Sequence, residues 1–260
     1  MPVKPETLFL DLGEKNIQLV KGGEGPPLVY LHSAGGETEW MPFHAALAEH
    51  YTVYVPAHPG FSVSTGLDDI DNMVDLAWHY VDLFAQLGLS NVPVVGLSLG
   101  AWLGAQLAIL RPELVSKLVL TNAAGLHVEG APMADLFIDD FDELKHLVFF
   151  NPKHESVDLA MPSSIDDPRI LHWLRAREAT ARLGWNPYLH DPKLPQHLHR
   201  IQCPTLVLWG RQDALIPLAH GEYYAQHIPG AKLSVIENCG HMAPFEKREE
   251  FVEQVVKFVG

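Results

Sequence analysis

The chain has 260 residues, of which 47% are hydrophobic and 19% are charged, and its formal net charge is −14. This composition excludes collagen-like, low-complexity and disordered chains, and the excess of acids disfavours nucleic acid and membrane surfaces as partners. Two cysteines, Cys203 and Cys239, are too few for a disulfide scaffold and match no zinc spacing. The first residues lack the apolar stretch of a signal peptide, so we expect a cytoplasmic, enzyme-sized protein.

Short β-rich runs alternate with longer helical patterns along the chain. The predicted strands are 7–12, 16–20, 28–32, 52–56, 92–97, 117–122, 205–210 and 232–237. Several of these runs are continuously apolar, which is typical of strands covered on both faces by helices. The first two runs alternate and lie close together, so we expect an antiparallel edge hairpin. The whole pattern predicts an α/β fold, a doubly wound and mostly parallel sheet of eight strands.

Helical patterns fill the intervals between the predicted strands. Apolar residues recur at helical spacing over 71–88, where Gly88 supplies a stop, and again over 251–259. The stretch that follows Ser98 has almost no polar face. A helix that is apolar on all sides belongs inside a protein, so we expect this one to be buried.

The segment 125–199 breaks the alternation because it contains no convincing buried strand. Apolar residues at helical spacing predict one helix over 133–148 and a second that has Pro168 in its first turn. A helical insertion between two strands is best explained as a lid over the crevice at the strand ends. We therefore expect a core formed by 1–124 and 200–260, with residues 125–199 as a helical cap.

A Gly-x-Ser-x-Gly motif over residues 96–100 lies where a buried strand meets a buried helix. A sharp strand-to-helix turn strains the backbone of Ser98 and pushes its hydroxyl clear of the sheet. Side chains at the two flanking glycine positions would collide with the neighbouring backbone. The helix start also directs free N–H groups and a positive dipole end toward whatever the serine attacks. Ser98 is therefore the candidate nucleophile.

A serine hydroxyl is a weak nucleophile unless a base takes its proton and an acid orients that base. Asp213 comes just after one buried strand and His241 just after the next. Because the carboxyl ends of parallel strands meet at one edge of a sheet, we expect Ser98, Asp213 and His241 to converge there. The chain has 15 histidines, and His241 ranks above the others because it follows the last strand.

The order Ser98, Asp213, His241, together with the Gly-x-Ser-x-Gly motif, resembles the α/β-hydrolase superfamily over essentially the whole chain. The resemblance implies Ser98 as nucleophile, His241 as general base and then general acid, and Asp213 as the group that orients His241. Neither the motifs nor the resemblance implies a cofactor or a metal ion.

Relatives in this superfamily place an oxyanion loop directly after the third strand, usually as His-Gly-x-x-Gly. Here residues 32–36 read His-Ser-Ala-Gly-Gly, with Ser33 where glycine is commonest. By position, the resemblance implies that the backbone N–H groups of Ala34 and Leu99 form the oxyanion hole. A second departure is Ala57, where relatives often begin a turn with Asp, and we expect it to affect loop structure more than chemistry.

A serine nucleophile sets aside the haloalkane dehalogenase and epoxide hydrolase branches, which usually carry Asp at that position. The leading prediction is a carboxylesterase-like serine hydrolase that cleaves a small, largely apolar carboxylic ester or related acyl compound through an acyl-enzyme. Lactone and enol-lactone hydrolases and cofactor-free perhydrolases share the triad and stay open as alternatives. Triad-bearing small-molecule receptors, which hydrolyse slowly while the lid changes shape, are an alternative of a different class.

The closest alternative is the branch that hydrolyses carbon–carbon bonds in meta-cleavage products of aromatic catabolism. Its members resemble this chain in size and in their helical lid, and they carry a lid arginine that contacts the dienoate substrate. Arg177 lies at a suitable place for that arginine. Met242 departs from the branch, because the residue after the catalytic His is usually Trp there.

Six side chains are candidates for substrate binding at the catalytic edge and in the lid. They are Ser33, Phe137, Trp173, Arg177, Trp185 and Met242. We expect the protein to bind a small ester or acyl molecule, and we expect it to bind neither nucleic acid nor a membrane. The sequence leaves open whether it forms a homodimer.

Overall fold

A computed structural model describes residues 3–260 of the chain. Its strands are β1 Glu6–Leu12, β2 Lys15–Gly22, β3 Pro27–Leu31, β4 Thr52–Pro56, β5 Val92–Leu97, β6 Val115–Thr121, β7 Thr205–Gly210 and β8 Lys232–Ile236. They form one sheet in the order β1-β2-β4-β3-β5-β6-β7-β8. The pairs β1–β2 and β2–β4 are antiparallel and the other pairs are parallel. The predicted edge hairpin and the mostly parallel eight-stranded sheet are confirmed.

Helices flank this sheet and connect its parallel strands. The α-helices are α1 Pro42–Leu47, α2 Met73–Leu87, α3 Leu99–Leu110, α4 Phe141–Val148, α5 Val157–Ala160, α6 Ile170–Gly184, α7 Leu194–His197, α8 Leu218–His227, α9 Ala243–Glu246 and α10 Arg248–Val259. The predicted stop of α2 is confirmed, since Gly88 adopts φ 65° immediately after the last helical residue. Among residues 3–260, no helix is both long and apolar enough to cross a bilayer.

The central helix α3 is buried along most of its length, as its apolar sequence predicts. Every residue from Leu99 to Ala108 is buried, and α3 packs against β5, β6 and α2. The strands beneath it are equally apolar; Leu118, Val119 and Leu120 of β6 have 0% of their surface exposed. Because β5 and β6 are covered on both faces, their packing fixes where their carboxyl ends lie. The loops that follow these strands therefore begin at fixed points.

Four helices, α4 to α7, lie in the segment 125–199 between β6 and β7, hereafter the inserted segment. Two sequence predictions are wrong in detail. The first predicted helix, 133–148, is helical only from Phe141, because Asp140 caps the helix by accepting the N–H groups of residues 142 and 143. The second begins at Ile170, so Pro168 lies in the preceding turn and not in the first helical turn.

Candidate active site

Ser98 lies between β5 and α3, where the chain turns sharply from strand to helix. Its backbone has φ 53° and ψ −110°, which is a strained conformation for a residue with a side chain. A Cβ on Gly96 would lie 2.5 Å from the backbone of Ala101, and one on Gly100 would collide with the carbonyl oxygen of Leu31. The Gly-x-Ser-x-Gly motif is therefore required by the close approach of neighbouring backbone on both sides.

Asp213 and His241 follow β7 and β8 at the same edge of the sheet. His241 Nδ1 donates to Asp213 Oδ2 at 2.8 Å, and both side chains are buried. Because the carboxylate holds the proton on Nδ1, the other ring nitrogen, Nε2, is free to accept one. This is the only side-chain hydrogen bond of His241 among the described residues, so Ser98 Oγ is not bonded to the ring.

Asn122 is a site residue that sequence reasoning missed. It follows β6 and its Nδ2 donates to Asp213 Oδ2 at 2.7 Å. The other carboxylate oxygen, Oδ1, accepts the backbone N–H groups of Leu215 and Ile216 at 2.9 and 2.8 Å. With the His241 bond, four donors surround Asp213 and fix its orientation. A lone Asn after a strand carries no motif, and its only sequence signal was its place at the catalytic edge.

A cavity of about 60 Å³, hereafter the catalytic cavity because the predicted nucleophile Ser98 and the predicted base His241 line it, is lined mostly by apolar side chains. Of the predicted substrate-binding residues, those that line it are Ser33, Phe137, Trp173, Arg177 and Met242. A second cavity of about 350 Å³ lies next to it and shares Gly35, Ala160, Met161 and Trp173 as lining residues. The catalytic cavity by itself is smaller than the roughly 300–1,000 Å³ usual for small-molecule sites.

Trp185 does not line the catalytic cavity, contrary to the sequence prediction. It follows the last residue of α6, 61% of its surface is exposed, and its ring packs on the outer side of Phe137 at 5.4 Å between centroids. Aromatic content alone could not distinguish Trp173, in the first turn of the helix, from Trp185, just after its last residue.

Arg177 of α6 extends from the inserted segment toward the catalytic cavity. Its guanidinium donates to the carbonyl oxygens of Leu136 and Ile138 at 3.0 and 3.1 Å and stacks over the Trp173 ring at 4.4 Å. Within residues 3–260, no carboxylate lies within ion-pair distance of it. Partial burial lowers the pKa of Arg177 from its ordinary value. The site thus contains a half-buried cation that has no ion-pair partner, although Asp135 and Asp139 act on its charge from a greater distance.

Of the two predicted oxyanion donors, Ala34 lines the same cavity as Ser98, and Leu99 directly follows Ser98 in the chain. Leu99 is the first residue of α3, so its N–H has no acceptor inside the helix. Ala34 lines the cavity, and none of the hydrogen bonds of the described chain uses its N–H. Neither N–H group is therefore engaged in a hydrogen bond among the described residues.

The carboxylate of Glu246, in α9, joins the inserted segment to the loop that carries His241. It is 8% exposed and accepts the N–H groups of Phe150, Asn151 and Gly240 at 3.0, 2.8 and 2.7 Å. A fourth bond runs from the Met242 N–H to the carbonyl oxygen of Val148 at 3.1 Å. The end of α4 and the His241 loop are therefore held together as one unit.

The described residues contain no group of three or more His, Cys, Asp or Glu side chains arranged to hold a metal ion.

Comparisons with known proteins place this geometry in a family. The chain is 29% identical to a 2-hydroxy-6-oxononadienedioate/2-hydroxy-6-oxononatrienedioate hydrolase of Pseudomonas putida, over 95% of this chain and 93% of the relative. It is 28% identical to a pimeloyl-[acyl-carrier protein] methyl ester esterase of Nitrosomonas europaea, over 91% of this chain and 97% of the relative.

A similar solved structure is that of a serine hydrolase involved in carbazole degradation. It has a TM-score of 0.83 and 26% sequence identity, and the match covers 98% of this chain and 99% of that one. A sequence model of the Alpha/beta hydrolase family matches residues 28–254. This range includes Ser98, Asp213 and His241 and most of the chain, so the protein belongs to the alpha/beta hydrolase family.

Proposed function

We propose that the protein is a serine hydrolase that cleaves a small carboxylic ester or related acyl compound through an acyl-enzyme on Ser98. The observation that carries the proposal is that Ser98, at φ 53° on its strand-to-helix turn, shares one cavity with His241, whose Nδ1 is held by Asp213 at 2.8 Å. A nucleophile, a base and an orienting acid meeting at one edge of a parallel sheet are the parts that acyl transfer requires.

In the proposed reaction, Ser98 Oγ attacks the substrate carbonyl carbon while His241 Nε2 takes the hydroxyl proton. Ser98 and His241 close on each other when the substrate binds, because catalytic hydrogen bonds are often long in empty sites. The oxyanion accepts the N–H groups of Ala34 and Leu99, each worth about 100- to 1,000-fold in rate at such sites. His241 then gives its proton to the leaving alcohol and activates the water that releases the acid.

The inserted segment acts in this proposal as a cap that sets substrate size. Trp173 and Met161 line both cavities, so they form part of the wall between the 60 Å³ catalytic cavity and the 350 Å³ space beside it. A short acyl group fits the catalytic cavity directly. A longer one requires Trp173 or Met161 to move so that the two spaces join.

The unpaired Arg177 favours a second candidate, hydrolysis of a carbon–carbon bond in a dienoate such as the substrates in the names of several relatives. A half-buried guanidinium without an acidic partner is suited to a substrate carboxylate. Both reactions need the same nucleophile site, and they differ in whether the substrate must carry an acidic group at the Arg177 side.

The test is steady-state hydrolysis of p-nitrophenyl esters of increasing acyl length and of one 2-hydroxy-6-oxo-dienoate, by the wild-type protein and by Ser98→Ala. We expect Ser98→Ala to lose turnover of every substrate that the wild type cleaves. The control is Ser90→Ala, since Ser90 is exposed and lines neither the catalytic cavity nor the space beside it. Turnover retained by Ser98→Ala would refute the nucleophile, whereas the relative rates on esters and dienoate decide between the two reactions.

A further inference from the structure

Glu37 is a buried acid beside the catalytic cavity to which the proposed reaction gives no role. Only 2% of its surface is exposed, and its Oε2 accepts the backbone N–H of Ser33 at 2.8 Å while Oε1 accepts the Ser33 hydroxyl at 2.6 Å. Burial raises the pKa of Glu37, and the two hydrogen bonds from Ser33 oppose that rise. A buried carboxyl group is costly unless it is fully hydrogen-bonded, so its retention here requires a reason.

Further bonds within the same loop start from Ser33. Its hydroxyl oxygen accepts the Gly35 N–H at 2.9 Å, and its carbonyl oxygen accepts the Gly36 N–H at 3.1 Å. The loop 33–37 is therefore closed on itself around one carboxyl group. A Cβ at position 35 would lie 2.7 Å from Glu37 Oε1 and 3.2 Å from Ser33 Oγ, so a side chain there would require the carboxyl group to shift.

Ala34 is the residue whose backbone N–H this arrangement leaves without an acceptor in the loop. The N–H groups before and after it, those of Ser33 and Gly35, are both engaged inside the loop. The Ala34 N–H has no acceptor among the described residues, and Ala34 itself lines the cavity between these two held peptides. Donors fixed in advance stabilise a developing negative charge without reorganising during the reaction.

We propose that Glu37 is a positioning residue of the oxyanion loop, which fixes Ser33 by two hydrogen bonds and thereby aims the Ala34 N–H at the reacting carbonyl oxygen. The proposal rests on the serine hydrolase function given above. In this loop the Ser33 side chain links the Glu37 carboxyl group to the Gly35 N–H, so one side chain connects both ends of the turn.

The test compares Glu37→Gln, Glu37→Ala, Ser33→Gly and the double variant Ser33→Gly/Glu37→Ala, with Glu49→Ala as control. Glu49 is an exposed acid just after α1 and lines neither cavity. The kcat is expressed per active site titrated with an organophosphate, so that misfolded protein does not count. We expect Glu37→Ala to lower kcat about 10- to 100-fold while KM changes less than about threefold, because the Ala34 donor acts in the transition state.

Glu37→Gln should keep kcat within about threefold of wild type, because the amide can accept the Ser33 N–H and donate to the Ser33 hydroxyl. The double variant should lose no more than the worse single variant, as expected for two residues that act as one unit. Hydrogen exchange of segment 33–37 should accelerate in Glu37→Ala and stay unchanged in Glu49→Ala.

Two results would overturn the proposal. One is faster exchange of the loop in Glu37→Ala with an unchanged kcat, since the hydrogen bonds would then have no catalytic consequence. The other is additive losses in the double variant together with a change confined to KM. Failure of the underlying function is separate, because it would appear as Ser98→Ala retaining turnover, and the positioning role would then fall with it.

Discussion

Asn122 Nδ2 donates a 2.7 Å hydrogen bond to Oδ2 of Asp213, the same oxygen that accepts the His241 Nδ1–H at 2.8 Å. Asn122 is fully buried and adopts φ 45°, a conformation that Asn and Gly tolerate better than other residues. The structure therefore gives the acid a neighbour that holds its oxygen in the plane needed by the histidine.

Asn122→Gly should lower kcat about 10-fold or more without unfolding the protein. Glycine keeps the positive φ, and the lost bond is one to a charged group, worth about 1.5–3 kcal/mol. Asn91→Gly is the matched control, because Asn91 is exposed and has φ 52° far from the site. Steady-state kinetics on an ester measure both variants, and equal kcat values for the two would remove Asn122 from the site.

Glu246→Ala should lower the free energy of unfolding by about 2–4 kcal/mol, since three buried backbone N–H groups lose a charged acceptor at once. Glu246→Gln should fall between wild type and Ala, because one acceptor oxygen remains. Urea denaturation provides the measurement, with Glu250→Ala, an exposed acid on α10, as control. A loss no larger than that of the control would mean that the inserted segment is held by its other contacts.

The protein should lose stability in mild acid. Burial lowers the pKa of His32 and of His79 to about 4 and that of His44 to about 3. Unfolding restores ordinary histidine pKa values near 6.5, so between these pH values the unfolded chain binds more protons than the folded one. The free energy of unfolding therefore has its full value above about pH 6.5 and falls as the pH drops toward 4.

Chemical denaturation at a series of pH values from 8 to 4 measures that slope. His44→Gln should flatten it, because glutamine can still accept the Met41 N–H that His44 Nδ1 accepts at 3.1 Å. His172→Gln, at an exposed position of α6, should leave the slope as it is. A pH-independent free energy of unfolding would contradict the assignment of neutral, buried histidines.

Arg177→Gln should lower kcat/KM for acyl substrates that carry a carboxylate by about 10- to 100-fold more than for neutral esters of the same size. Glutamine can still donate to one of the two carbonyl oxygens that Arg177 binds in the inserted segment, so this variant removes the charge with limited disturbance. Arg175→Gln, two residues away and exposed, is the control. The same loss on acidic and neutral substrates would make Arg177 a structural residue.

The sheet and the placement of the site residues were predictable because they depend on local signals. Continuous apolar runs identify the buried strands, and the glycines beside Ser98 record the lack of space at the turn. His241 could be selected among 15 histidines by its place after the last strand. These features depend on neighbours in the chain or on the topology of a parallel sheet, both of which a sequence pattern contains.

What could not be predicted depends on partners that are distant in the chain. Asn122 lies 91 residues from Asp213, and Glu246 lies 96 residues from Phe150. The predicted start of α4 was wrong because the chain before the helix is held by a distant residue, which hydrophobic periodicity does not reveal. That residue is Tyr188, whose hydroxyl accepts the Leu136 N–H and donates to the carbonyl oxygen of Ala134. Glu37 was overlooked for another reason, since an acid in a glycine-rich loop is ordinarily solvated.

Glu246 holds the inserted segment through hydrogen bonds from main-chain N–H groups. Every residue except proline has such an N–H group. The attachment therefore places almost no demand on which side chains the segment carries. Residues that shape the substrate space can diverge, or be exchanged in a laboratory graft, while the tether to the histidine loop persists. Under the proposed function, the side chains that contact substrate and the bonds that attach the segment to the His241 loop are therefore separate features of the structure.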